Sequence, residues 1–157
     1  MPQVRVRSLA AAAGALVLLA SPRGAVRAQD IPDNASTRSV VSQIQNSRNY
    51  TNLLEKGYTT SHQPRFDLLN DGAYQDVQYQ LEAGYTYFFL GKCDQDCSDL
   101  DFKLFDYDGE LMDSDLRDDD YPVVSYTPSF TRTFTLRVIM AKCATTNCWS
   151  GVVAVRK

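Results

Sequence analysis

From residue 58 onward, aromatic and β-branched side chains alternate with polar ones in short runs separated by turn residues. A period of two places alternate side chains on opposite faces of a β-strand, whereas an amphipathic helix repeats its apolar residues every three to four positions. In the longest run, residues 132–140, one face carries Phe134, Leu136, Val138 and Met140. The pattern therefore predicts a mainly β domain in which one face of each strand is core.

Turn signals separate the predicted strands, and no helical pattern is interleaved with them. Residues 70–72 form one such signal, and Asp106–Gly109 is predicted to be a hairpin turn in which Asp-Gly supplies the positive φ. A parallel sheet would need helices between its strands, so we predict an antiparallel β-sandwich. The eight predicted strands are 65–69, 77–81, 85–90, 100–106, 109–114, 121–126, 132–140 and 149–155.

Residues 36–56 show near-helical spacing of apolar residues instead. Asn34 or Ser36 can cap this helix, a break is expected near Asn49, and Gly57 can close it. The apolar stripe is thin, so one N-terminal α-helix is expected to dock on the sandwich. The docking residues would be Val40, Val41, Ile44 and Leu53.

The first 28 residues have the order of a secretory signal peptide. Arg5 and Arg7 precede the uncharged run 8–20, and small residues follow around Val26-x-Ala28. The run is too short for a permanent anchor, although a core helix or an uncleaved anchor is the alternative. The expected organisation is a signal peptide at 1–28, a polar leader and helix at 29–57, and a sandwich domain at 58–157. The mature protein would be exported, to the periplasm or the extracellular space.

Removal of residues 1–28 leaves 12 basic and 19 acidic residues, a net charge of −7. Such a chain repels nucleic acids and anionic lipid surfaces, and the sequence contains no basic patch that would overcome this. We therefore expect no nucleic-acid partner and no membrane span after cleavage. The remaining 129 residues suit a single domain.

Four cysteines, Cys93, Cys97, Cys143 and Cys148, follow the export signal and predict two disulfides. A four-thiolate zinc site is the alternative, but the surroundings are acidic and lack histidine. The short spacings favour pairing within each loop, because a turn can bring two Cα atoms within the separation of about 4.4–6.8 Å that a disulfide requires. A cross-link between the two loops is the competing connectivity.

Four segments together resemble the bacterial pre-peptidase C-terminal domain over residues 64–157. They are "LEAGYTY" at 81–87, "DLDFKLFDYDG" at 99–109, "TRTFTLRV" at 131–138 and "SGVVAV" at 150–155. The resemblance implies a secreted sandwich of jelly-roll type that is appended to an exported peptidase and is not itself catalytic. It also implies that calcium and collagen are ligands to consider, since related collagenase modules bind both. This sequence differs in having no peptidase ahead of the domain and two additional cysteine pairs.

Residues 91–120 contain twelve acidic side chains. Calcium takes about six to eight oxygen ligands, and a calcium site in this stretch would use Asp96, Asp99 and Asp101 with backbone carbonyls. The order of an EF-hand loop is absent. Acidic side chains on an exposed strand also deter edge-to-edge pairing without binding anything. We therefore interpret the stretch as a solvated rim and expect no other cofactor.

No G-x-S-x-G, H-E-x-x-H or Walker motif occurs in the chain. His62 is the only histidine, and Ser61 beside it is not placed as a catalytic serine would be. The acidic runs lie in polar, turn-like sequence without the apolar pocket that raises the pKa of a general acid. We therefore do not expect an enzyme.

Several aromatic residues remain once the inward strand positions are assigned, and they form a candidate binding surface for a protein or a glycan. They are Tyr74, Phe105, Tyr107, Tyr121 and Tyr126. The sequence thus favours an exported, non-catalytic binding or accessory module. Two alternatives stay open: a small secreted hydrolase with an unrecognised carboxylate site, and an inhibitor or assembly partner of a secreted peptidase.

Overall fold

Two antiparallel sheets packed face to face form the body of the protein. The computed structural model describes residues 34–157, so the predicted signal peptide lies outside the described residues. Sheet A contains β1 (Thr59–Thr60), β2 (Arg65–Asn70), β4 (Tyr87–Cys93), β7 (Val123–Tyr126) and β9 (Asn147–Arg156). Sheet B contains β3 (Tyr74–Leu81), β5 (Cys97–Phe105), β6 (Leu111–Asp115) and β8 (Arg132–Cys143).

The strand order is β1-β9-β4-β7 in sheet A, where β2 also pairs with β9, and β3-β8-β5-β6 in sheet B. Consecutive strands mostly alternate between the sheets, as in a jelly-roll sandwich. The predicted β-sandwich is confirmed, and all eight predicted strands are present with shifted ends. The strand expected at 85–90, for example, begins at Tyr87 and continues to Cys93. Strand β1 was not predicted because two residues are too few to show alternation.

The core between the sheets consists of the inward faces that the alternation predicts. All four predicted inward residues of β8 are buried, with at most 4% of their surface exposed. Phe102 and Leu104 of β5 are fully buried and belong to the same apolar cluster as Phe89 of β4. Because burial of apolar surface is the main favourable term in folding, this cluster stabilises the sandwich.

The residues ahead of the sheets form two helices, and the break between them lies at residues 46–47, slightly before the break that the sequence predicts near Asn49. Helix α1 spans Ala35–Gln45 and helix α2 spans Arg48–Glu55. Ser47 lies at the break, where its hydroxyl donates to the Ile44 carbonyl at 2.7 Å and accepts from the Tyr50 N–H at 3.2 Å. One side chain thus satisfies groups at the end of the first helix and at the start of the second. Neither helix within residues 34–157 has the length and apolar composition needed to cross a membrane.

Both helices pack on the outer face of sheet A through a second apolar cluster. Three of the four predicted docking residues, Val40, Ile44 and Leu53, are buried in it, whereas Val41 is only half-buried. Gly151 of β9 permits the close approach, because a Cβ atom there would lie 2.5 Å from Cγ1 of Val40. Strand β9 is consequently buried on both faces.

The two disulfides lie at one end of the sandwich. Cys93–Cys97 joins the end of β4 to the start of β5, and Cys143–Cys148 closes the β8–β9 hairpin. This is the local connectivity that the spacing favours, and no cysteine among residues 34–157 is free. Cys97 and Cys143 are nevertheless opposite each other in the β5–β8 register. The competing cross-link between the loops would therefore have needed no change in strand order.

Two aspartates of β6 join the edges of the two sheets. Oδ2 of Asp113 accepts from the Ser125 N–H at 2.7 Å, and Oδ2 of Asp115 accepts from the Val123 N–H at 2.9 Å. Arg117 completes the arrangement by donating twice to the Asp115 carboxylate, at 2.8 and 2.7 Å. These carboxylates occupy N–H groups of edge strand β7, so they protect that edge from pairing with another chain.

Candidate functional site

The outer face of sheet B carries no helix among the described residues, whereas α1 and α2 cover the outer face of sheet A. Along β3 and β8, the outward positions are mostly polar and the inward positions apolar. Three aromatic side chains interrupt this polar surface: Tyr74 on β3, Phe105 on β5 and Tyr107 in the β5–β6 turn. We call the surface that includes these three residues the open face.

Arg137 stacks between two of the aromatic rings in the middle of the open face. Its guanidinium carbon lies 4.1 Å from the ring centroid of Tyr74 and 5.4 Å from that of Phe105. Its Nε and Nη2 donate to the two carboxylate oxygens of Asp76 at 2.7 and 2.8 Å, which lowers the pKa of Asp76 below its usual value. A planar guanidinium held in this way gives a flat and rigid surface.

A shallow cleft of about 580 Å³ opens at one end of the open face. Gln80 and Thr133 are opposite each other in the β3–β8 register, and Oγ1 of Thr133 donates to Oε1 of Gln80 at 3.0 Å. Nη1 of Arg132 lies 3.9 Å from Oδ2 of Asp108. With Tyr107, these four residues line the cleft. The lining thus combines one aromatic ring with an amide, a hydroxyl, a guanidinium and a carboxylate.

The turn that carries Tyr107 is held in shape by its own hydrogen bonds. Oδ1 of Asp106 accepts from the N–H groups of Asp108 and Glu110 at 2.9 and 2.8 Å. Gly109 has a φ of +83°, which glycine adopts without strain, in agreement with the predicted hairpin turn. The Tyr107 side chain is 73% exposed. The ring is therefore presented to solvent by a rigid turn, which reduces the entropy lost when a ligand contacts it.

A second, smaller cleft of about 100 Å³ lies on the other side of Arg132. Phe130 at its rim is 69% exposed, with its ring centroid 5.7 Å from the Arg132 guanidinium carbon. The loop before β8 is held by Thr131, whose Oγ1 accepts from the Ala83 N–H at 2.9 Å. Arg132 therefore stands between two clefts that each have an exposed aromatic ring. The second cleft is lined by Asp106, Tyr126, Ser129, Phe130, Arg132 and Phe134.

The structure separates the five aromatic residues that the sequence suggested as a surface. Tyr74, Phe105 and Tyr107 lie on the open face. Tyr121 does not, because it is half-buried in the cluster beneath the helices and its hydroxyl bonds with Ser47. Tyr126 packs against the sandwich core and, of the two clefts beside Arg132, lines the smaller one.

The three calcium candidates are not gathered into a ligand set. Within residues 34–157, no three histidine, cysteine, aspartate or glutamate side chains are grouped so that they could hold a metal ion. Asp96 is exposed in the loop closed by Cys93–Cys97, and Asp99 and Asp101 lie on β5. Oδ1 of Asp99 and Oδ1 of Asp101 are shielded from solvent and have no hydrogen-bond partner among the described residues.

Burial raises the pKa of Asp99, and the negative charges of Asp118 and Asp119 raise it further. Burial, followed by the charge of Asp99, likewise raises the pKa of Asp101. A carboxylate with a raised pKa destabilises the folded state at neutral pH, and this cost falls as the pH is lowered and the folded state takes up a proton. The acidic cluster therefore acts against stability at neutral pH.

Replacement of Asp99 by asparagine is expected to raise the free energy of unfolding at pH 7 by about 0.5 kcal/mol, because one of several mutually repelling charges is removed. The gain should shrink as the pH is lowered from 7 to 4, because the raised pKa makes the folded wild-type protein take up a proton at a higher pH than the unfolded chain does. Urea unfolding at the two pH values measures both effects. The matched control is Asp96→Asn in the exposed loop, which should change stability little. A loss of a calcium-dependent rise in Tm on Asp99→Asn would instead identify a metal ligand.

The side chains of Ser61 and His62 form a hydrogen bond, although the sequence does not place Ser61 as a catalytic serine. Oγ of Ser61 lies 3.0 Å from Nδ1 of His62. Nε2 of His62 donates to the Gln80 carbonyl at 3.2 Å, so a backbone group occupies the place that an orienting carboxylate takes in a catalytic triad. Burial lowers the pKa of His62, which favours the neutral ring. The pair has hydrogen-bond geometry, but no carboxylate among residues 34–157 bonds to the His62 ring.

Sequence reasoning missed Gln80, Phe130, Arg132 and Thr133 as members of the candidate site. Outward strand positions such as Gln80 and Thr133 carry no distinguishing signal by themselves. Phe130 does carry a signal in the sequence, because it lies in the turn-rich segment "TPSFT" at 127–131, where a bulky aromatic residue has no strand face to pack on.

No protein-family model matches this chain, and no curated protein sequence matches it. Among solved structures, the fold is similar to the crystal structure of Aeromonas hydrophila PliG, a periplasmic lysozyme inhibitor of g-type lysozyme. The two chains share 10% sequence identity with a TM-score of 0.45, over 65% of this chain and 90% of that one. At this level the likeness does not extend to what this chain binds.

Proposed function

We propose that the protein is an exported, non-catalytic module that binds a ligand through the open face of sheet B. The observation that carries the proposal is the combination of exposed rings and rigid support on a face that no described helix covers. Tyr74 is 56% exposed and Tyr107 is 73% exposed, yet neither ring is needed to fill the core. Exposed aromatic residues on a rigid scaffold are typical of recognition surfaces.

Export is supported by the signal-like amino-terminal segment and by two disulfides, which persist in oxidising compartments. The absence of a catalytic motif and the incomplete Ser61–His62 pair support a binding role over catalysis. The resemblance to the pre-peptidase C-terminal domain, which implies a non-catalytic accessory domain, agrees with the same proposal.

Tyr107→Ala is expected to weaken ligand capture at least tenfold, because it removes the most exposed ring of the cleft. The mature protein is immobilised, exposed to the culture medium and periplasmic extract of its host, and the retained glycans and proteins are quantified. Leu54→Ala is the matched control, since Leu54 is a large side chain that is 41% exposed on α2, away from sheet B. Capture that is equal for wild type and Tyr107→Ala would contradict the proposal.

A secreted hydrolase is the second candidate, favoured by the Ser61–His62 hydrogen bond and by the raised pKa values of Asp99 and Asp101. Turnover of glycan or peptide substrates by the mature protein, lost in Ser61→Ala or in Asp99→Asn, would establish it. Retention of a secreted peptidase in the capture experiment would instead support the third alternative, an inhibitor or assembly partner.

A further inference from the structure

We infer that the ligand of the main cleft, lined by Gln80, Tyr107, Asp108, Arg132 and Thr133, is an uncharged oligosaccharide. This inference rests on the proposed function, because it names the ligand class of the same open face. It follows from the chemistry of the lining, from the charge around the cleft and from the arrangement of the two clefts.

The lining suits sugar rings better than peptide side chains. It contains one aromatic ring and four hydrogen-bonding side chains, and no aliphatic side chain. Protein interfaces depend on apolar or aromatic anchors inserted into well-packed pockets, which this cleft does not provide. A sugar ring offers an apolar face of C–H groups that can lie on Tyr107, and hydroxyls around its edge that both donate and accept.

Three of the four polar groups of the cleft are planar, and the Gln80 amide is held by a neighbour. The Gln80 amide oxygen accepts from Thr133 at 3.0 Å, and Arg132 lies near Asp108. The amide, carboxylate and guanidinium each present two adjacent polar atoms, a geometry that matches the two hydroxyls on neighbouring carbons of a sugar. Because Gln80 and Thr133 are bonded to each other before binding, little entropy is lost in fixing these two side chains.

The charges around the cleft disfavour an ionic ligand. Asp108 and Arg132, which line the cleft, carry opposite charges, and Nη1 of Arg132 lies 3.9 Å from Oδ2 of Asp108. An anionic sugar would meet repulsion from Asp108, and a cationic one would meet repulsion from Arg132. An uncharged ligand binds without leaving any of these charges unpaired.

The arrangement of the clefts favours a ligand of more than one sugar unit. Arg132 lines both the cleft of about 580 Å³ and the one of about 100 Å³, and Tyr107 and Phe130 each stand at one of them. A chain that contacts both rings must cross Arg132. The geometry therefore favours an oligosaccharide over a monosaccharide.

Titration calorimetry with hexasaccharides tests this assignment. The uncharged probes are cellohexaose, chitohexaose and maltohexaose, and the charged probe is the hexamer of galacturonic acid. At least one uncharged probe should bind the mature protein, and the charged hexamer should bind at least tenfold more weakly. Tyr107→Phe, which keeps the stacking ring, should change Kd less than threefold, whereas Tyr107→Ala should raise it at least tenfold. Gln80→Ala should also raise it, and Leu54→Ala should leave it unchanged.

The outcomes separate this inference from the proposed function. If no uncharged probe binds, or if the charged hexamer binds more tightly, the saccharide assignment is wrong. If proteins are then still captured in a way that depends on Tyr107, the open face binds a protein and the proposed function stands. If neither sugars nor proteins depend on Tyr107, both fail. Thermal unfolding of each variant confirms that a lost interaction is not a lost fold.

Discussion

Replacement of Gly91 by alanine is expected to lower the free energy of unfolding by about 3 kcal/mol, at the upper end of overpacking effects in protein cores. Gly91 lies on β4 and faces the space between the sheets. A Cβ atom there would lie 2.5 Å from Cζ of Phe102 and 2.8 Å from Cγ of Pro122. Phe102 is completely buried, and side chains in close-packed cores have little room to move. The strain must therefore be relieved by shifting the sheets.

A second substitution tests whether the loss comes from this contact. Phe102→Leu removes the atom that the new methyl group would meet, so the double variant should be at least about 1 kcal/mol more stable than the sum of the two single effects implies. Urea unfolding of all four proteins gives this coupling. If Gly91→Ala alone unfolds within about 0.5 kcal/mol of wild type, β4 can move away from Phe102, and the close packing of the two sheets is wrong.

Replacement of Asp115 by alanine is expected to cost about 2–3 kcal/mol at neutral pH, because it removes a buried carboxylate with three hydrogen bonds and leaves the backbone N–H of Val123 without its acceptor. The side chain of Asp115 is only 8% exposed and accepts from Val123 and twice from Arg117. The matched control is Asp76→Ala. Asp76 has the same bidentate pairing with Arg137, but its side chain is 39% exposed, so its loss should cost less than about 1 kcal/mol.

The stability that Asp115 contributes should decrease as the pH is lowered. The hydrogen bonds from Arg117 lower the pKa of Asp115 below its usual value. A carboxyl group whose pKa is lower in the folded state contributes stability that is fully present above the unfolded pKa, about 3.9, and is lost as the pH falls through the folded value. Asp115→Asn and wild type should therefore converge in stability as the solution is acidified below pH 4. A difference that stays constant from pH 7 into this range would show that the charge of Asp115 does not contribute.

The acidic composition of residues 91–120 suggests a metal site, whereas in the fold several of these carboxylates accept hydrogen bonds from the backbone. Its carboxylates at Asp106, Asp113, Asp115 and Asp119 accept from backbone N–H groups of turns and edge strands. Asp94 does the same for the Trp149 N–H at 3.0 Å. The interpretation as a solvated rim did not include these contacts. The sequence did not show which carboxylate joins which strand, since most of the accepting and donating groups belong to different strands and turns.

The disulfide pairing was predicted from the sequence, but the proximity of the two cysteine loops was not. The short spacings favoured the pairing of Cys93 with Cys97 and of Cys143 with Cys148, because a loop of a few residues keeps its ends close whatever the rest of the chain does. Yet the sheets also place Cys97 opposite Cys143. Only the tertiary structure shows that both connectivities were within reach, because this proximity depends on the pairing of β5 with β8.

The sequence by itself determined the strands, their inward faces, the hairpin turn at Asp106–Gly109 and the helical character of residues ahead of them. These features depend on local backbone geometry, which repeats every two residues in a strand and every 3.6 residues in a helix. Only the tertiary structure decided that the helices cover sheet A and leave sheet B open, and that Gln80, Tyr107 and Arg132 meet at one cleft. Those residues come from β3, from the β5–β6 turn and from the start of β8, and their proximity follows from the order of strands in the sheet, which local periodicity does not encode.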